Sequence, residues 1–144
     1  MLLKFLSLYH IRFFALFAIC FSAGMNANGQ NLIGYSAKEI KKYMTGNCRD
    51  MSSEKVVNGK YKYLKYTSDS ETQTLLFFID KDSICKNVRL ICSKMLKAEK
   101  MKELDSIYEK NGDNRWIDKR NGREYLVRLT DEEFSFVITI EPDK

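Results

Sequence analysis

Two Asn-Gly pairs, Asn58-Gly59 and Asn121-Gly122, each stand between strand-like runs, and they constrain the fold more than any other feature of the chain. A two-residue turn of this kind needs positive φ at both central positions. Asn and Gly tolerate this best, and the result is a tight antiparallel hairpin. The flanking segments have the matching period of two. KYKYLKY (60–66) alternates Lys62, Leu64 and Tyr66 against Tyr61, Tyr63 and Lys65, and EFSFVITI places Phe134, Phe136, Ile138 and Ile140 on one side. TQTLLFFI (72–79) is continuously apolar, the pattern of a central strand covered on both faces. In the next strand Ile84, Val88, Leu90 and Cys92 share one face, with Cys85, Asn87 and Arg89 on the other.

Two helices interrupt this pattern. Ser36-Ala37-Lys38-Glu39 is a capping box, with Tyr35 and Ile40 placed as a hydrophobic staple, Ile40, Tyr43 and Met44 as the apolar stripe and Gly46 as the stop. A second helix is expected over about Lys94 to Lys110, where Met101, Leu104 and Tyr108 recur at helical spacing before Asn111-Gly112. The expected architecture is α+β. It is an antiparallel sheet of six to seven strands with both helices on one face, in the order helix, three or four strands, helix, three strands.

The first 29 residues are of a different kind. They carry Lys4, His10 and Arg12, no acid, and an apolar run FFALFAICFSA from Phe13 to Ala23. That run suits a secretory signal and is short of the roughly 20 residues of a membrane-spanning helix. Ala27-Asn28-Gly29 offers small residues to signal peptidase, so cleavage is expected before Gln30. This leaves one domain over 30–144, periplasmic or secreted, with no membrane span. Loss of Lys4 and Arg12 reduces 24 Lys+Arg to 22 against 19 Asp+Glu, a net charge of +3. Interspersed charge and an extracytoplasmic address argue against a nucleic-acid partner.

His10, the one histidine, leaves with the signal, and with it go Ser-His-Asp and Cys-His catalysis and imidazole metal sites. Asp80-Lys81-Asp82 lacks the remaining ligands of a calcium loop, and Asp131-Glu132-Glu133 is a turn-like acidic cluster. No cofactor is implied. Three cysteines remain after cleavage. Cys85 and Cys92, seven apart on one strand, face opposite sides, so a bridge would have to include Cys48. Cys92 lies on the apolar face as a buried thiol, which favours Cys48–Cys85. Three reduced cysteines are the alternative.

IGYSAKEI and the order of elements resemble the helix-plus-antiparallel-sheet units of the β-lactamase inhibitor protein fold and of small outer-membrane assembly lipoproteins. More broadly the chain resembles the small uncharacterised exported proteins of Bacteroidetes, which implies an address and no activity. Tyr61, Tyr63, Tyr66, Trp116 and Tyr125, with Arg123 beside them, lie on strands in both halves. Half of such residues must point away from a one-sided core, where aromatic and Arg side chains suit recognition of a protein or glycan. The reading is a non-catalytic binding protein working through the open face of its sheet. A histidine-free carboxylate hydrolase acting on glycans and a self-assembling structural component of the envelope are the alternatives; the oligomeric state is left open. Protein purified from an exporting host is expected to have an intact mass beginning at Gln30. A mass retaining Met1 would remove the export assignment.

Overall fold

The computed structural model describes residues 31–54 and 62–143. Helix α1 (Ala37–Asn47) is followed by β1 (Met51–Glu54), β2 (Tyr63–Ser68), β3 (Gln73–Ile79) and β4 (Cys85–Ser93). A 3₁₀ turn (Lys94–Leu96) leads into α2 (Lys97–Ile107). Then come β5 (Glu109–Lys110), β6 (Arg115–Arg120), β7 (Arg123–Asp131) and β8 (Ser135–Pro142). All eight strands form one antiparallel sheet in the order β1-β2-β3-β4-β8-β7-β6-β5. Each half is a helix and a four-stranded meander, and the halves join where β4 pairs with β8.

The count is eight strands where the sequence predicts six to seven. The added elements are the short outer ones. β1 reads MSSE, without apolar alternation, and β5 takes Glu109 and Lys110 from the end of the expected second helix. That helix is also shortened at its start, where Lys94–Leu96 tightens into the 3₁₀ turn. The hairpin expected at Asn58-Gly59 lies outside the described residues. The one at Asn121-Gly122 forms as read, with φ of 50° and 73° at the two positions.

The capping box at α1 is complete. Ser36 N–H donates to Glu39 Oε2 at 2.8 Å and Glu39 N–H to Ser36 Oγ at 3.3 Å. The Ser36 hydroxyl, which donates to Glu39 Oε2 at 2.7 Å, and then the Ser36 amide hold the Glu39 carboxyl below the usual carboxylate range. Tyr35 does not staple the helix. Its carbonyl accepts from Cys85 N–H, and its side chain is 48% exposed. Gly46 is not the stop either: the helix runs on to Asn47, and Cys48 N–H closes on Met44 O.

Ile40 and Met44 of α1, with Leu104 of α2 and Tyr108 just past its end, join one core cluster. That cluster takes Leu75 and Phe77 of β3, Val88 and Leu90 of β4, Phe136, Ile138 and Ile140 of β8, and Trp116 and Val127 of the far half. Register places these strand residues opposite one another across the sheet, so both helices cover the same face. β3 is therefore covered on one face only. Leu75, Phe77 and Ile79 are buried, whereas Leu76 and Phe78 are half-buried on the other side. No helix among the described residues is long and apolar enough to cross a membrane.

A bulge in β4 overturns one sequence reading. Phe78 pairs with Asn87, but Ile79 pairs with Cys85, so Lys86 is an extra residue and Cys85 turns onto the helix-covered face with Val88, Leu90 and Cys92. The lead-in is fastened at the opposite edge. Asn31 Nδ2 donates to Asp118 Oδ2 at 3.0 Å, Arg120 Nε lies 2.9 Å from Asp118, and Arg120 Nη1 donates to Asn31 O at 3.1 Å. Asn31 and Asp118 are both buried. Asp118→Ala leaves the Asn31 amide without its buried acceptor. It is expected to lower the unfolding free energy by about 1–3 kcal/mol, measured by denaturant titration on Trp116 fluorescence.

Candidate binding face

Cross-strand partners project from the same side of a sheet, so the register also defines the face on which no described helix lies. One row across it runs Tyr63, Phe78, Asn87. A second runs Lys65, Leu76, Arg89, Thr139, Arg128, Arg115. A third runs Thr67, Thr74, Ile91, Val137, Thr130, and a fourth Ile117, Leu126, Glu141. Tyr63, Leu76, Phe78, Ile91, Val137 and Leu126 are half-buried there, each flanked by threonines or charged groups. A flat mixture of aromatic, aliphatic and Arg side chains is the composition of a recognition surface.

Local contacts order it. The Tyr63 and Phe78 rings lie 5.8 Å apart with their planes tilted by 43°. The exposed Arg89 guanidinium stands 5.3 Å above the Phe78 ring, a cation–π pair that holds the charge over an apolar floor. Arg128 Nη2 donates to Glu141 at 3.0 Å. At the β1 edge Lys65 Nζ donates to Glu54 at 2.6 Å and Thr67 adds a second bond, which together hold the Glu54 carboxyl below its ordinary range. Asn87 Oδ1 is buried on this side with no hydrogen-bond partner among the described residues.

The structure separates the sequence-predicted anchors. Tyr63 is on the uncovered face, and Tyr61 lies outside the described residues. Tyr66 is buried under the helix layer, edge-on to Phe77 at 6.1 Å, and burial raises its hydroxyl pKa. Trp116 is fully buried. Its Nε1–H donates to Asp105 Oδ1 at 2.8 Å, which holds that carboxyl low, and Lys110 sits 5.7 Å from the ring. Tyr125 is buried on the helix side. With the exposed Arg123 it lines a cleft of about 420 Å³ beside Gly34, Tyr35 and Glu39. Tyr66, Trp116 and Tyr125 thus serve the core, leaving little surface for a partner. The residues missed are Phe78, Leu76, Ile91, Val137 and Leu126. They occupy the strand positions alternate to the core set, and a one-face reading of β3 would have exposed the first two.

A larger cleft, about 970 Å³, opens where α1 meets β1 and β2. Lys41, Arg49, Lys62 and Lys65 line it around Met44, Met51 and Leu64. Among the described residues its one carboxylate is Glu54, already paired with Lys65, and that of the smaller cleft is Glu39, spent in the capping box. Asp80 is likewise committed: its Oδ1 accepts from the Asp82 and Ile84 amides at 2.9 Å and shapes the β3–β4 turn. Among the described residues no group of three or more His, Cys, Asp or Glu side chains is placed to hold a metal. No protein-family model, curated protein or solved structure matches the chain.

Cys48, Cys85 and Cys92 are all free thiols and all buried, so the Cys48–Cys85 bridge expected from the sequence is not formed. Cys85 is hydrogen-bonded to the segment that enters α1, through Gly34 N–H to Cys85 O and Cys85 N–H to Tyr35 O. Cys48 caps the other end of that helix, whose 11 residues span about 16 Å. A disulfide needs Cα atoms within about 7 Å. Burial pushes the Cys85 and Cys92 thiols up to about 11 and raises Cys48 as well. The expected outcome at pH 8 is negligible alkylation of the folded protein and three alkylations of the described chain after unfolding. No change in mass should follow reduction. A gain of two protons on reduction would restore the bridge.

Proposed function

We propose that the protein is an exported, non-catalytic binding protein of the periplasm or extracellular space that recognises another envelope or secreted protein through the uncovered face of its sheet. The observation that carries this reading is the cluster of Tyr63, Phe78 and Arg89 at one end of β2–β4, with Leu76, Ile91 and Val137 on the same face, which no described helix covers. A rigid sheet presents these groups at little entropic cost on binding, and an Arg stacked on an aromatic ring is a common energetic anchor. A glycan is the second ligand class, favoured by the paired Tyr63 and Phe78 rings. The hydrolase reading loses support because each cleft described above offers a single carboxylate that is already engaged, whereas glycoside chemistry needs two.

The test is site-specific photo-crosslinking in a native-like exporting host, with the probe at Ile91 on the sheet face or at Lys102 on α2. A discrete adduct is expected from position 91 and none from position 102. Arg89→Glu or Tyr63→Ala should weaken the adduct about tenfold or more with the melting temperature nearly unchanged. Equal labelling from both positions, or an adduct indifferent to Arg89→Glu, would overturn the assignment.

A further inference from the structure

Two surfaces outside the sheet face complement each other. At one end of the sheet Ser93 of β4 pairs with Ser135 of β8, and just beyond them emerge Met95 and Phe134, 76% and 82% exposed. Single exposed apolar residues are ordinary on a protein surface, so the charge set around this pair is what distinguishes it. Phe134 rides on a closed turn. Glu132 N–H donates to Ser135 O at 3.0 Å, and Lys97 bridges to Asp131 at 2.6 Å beside it. Glu132 and Glu133 are exposed next to Phe134, so the tip is an aromatic point set in negative charge. The cleft between α1 and β1–β2 has the opposite character, with exposed Lys41 and Arg49 around the apolar Met44, Met51 and Leu64.

We infer that the Phe134 tip of one copy docks into the Lys41–Arg49 cleft of a second copy, giving head-to-tail self-association. A copy does not fill its own cleft. Leu64 is in register with Phe77, Val88 and Ile140, and Phe134 lies six residues from Ile140 along the chain, about 20 Å at strand rise. Three strand spacings separate β2 from β8 besides. Charge complementarity selects the occupant, because Glu132 and Glu133 meet Lys41 and Arg49 as the ring enters the apolar floor. Made head to tail, without reciprocal insertion of the partner's tip, the contact is heterologous and repeats into a ring or a short filament.

Sedimentation of protein purified from the exporting host, from about 1 μM to about 1 mM, tests this. The weight-average mass is expected to rise with concentration past two copies, and to fall back as salt is added. Phe134→Ser should remain monomeric with an unchanged melting temperature. So should the cleft reversal Lys41→Glu/Arg49→Glu. Mixing that variant with the tip reversal Glu132→Lys/Glu133→Lys should restore association. Arg89→Glu should leave it untouched, which separates this interface from the sheet face. A monomer at every concentration, association that survives Phe134→Ser, or a cleft reversal without effect would each overturn the inference.

Discussion

The structure rests on a core that has only one side. The buried core residues of the sheet lie on a single face, and two helices of 11 residues each lie on that face. Trp116, Phe77, Phe136 and the aliphatic side chains around them are almost wholly removed from water. Each such side chain contributes about 1.5–3 kcal/mol relative to exposure. Helices of about 16 Å cannot wrap a sheet of eight strands, whose width is about 34 Å. No described helix lies on the second face, where apolar side chains alternate with charged groups and threonines.

How far this could be read from the sequence depends on whether the signal was local. The Ser36–Glu39 capping box, the Asn121-Gly122 turn and the alternation of β8 are set by neighbours in the chain, and they form as read. What escaped depends on partners far away in sequence. β1 and β5 are strands only because β2 and β6 pair with them, and neither has a pattern of its own. The bulge at Lys86 is invisible in CKNVRLIC, yet it decides the face of Cys85 and so removes the geometry on which the cysteine pairing was argued. The same holds for the site. Tyr63 is legible, whereas Tyr66 and Trp116 belong to the core, and the unbroken apolar run of β3 conceals that Phe78 points away from it.

The thiols fit the same picture. Three buried cysteines stand apart at separate points of the core, and desolvation keeps Cys85 and Cys92 protonated well above neutral pH. The thiolate is the reactive form, so burial protects them where pairing does not. Stability from these protonated thiols is complete below their ordinary pKa of 9.0 and declines as pH rises toward about 11. The surfaces proposed for recognition lie elsewhere, at the open face, the exposed tip and the basic cleft.

The most direct measurement is methyl-resolved NMR of the protein with a soluble paramagnetic probe, read along β4 and its neighbours. Strong broadening is expected at Ile91, Val137, Leu76 and Leu126, and none at Val88, Leu90, Ile138 and Leu75. Alternation of that kind along a single strand would establish an uncovered face available to a partner. Uniform protection of both sets would mean that the second face is covered, and the binding account would fall with it.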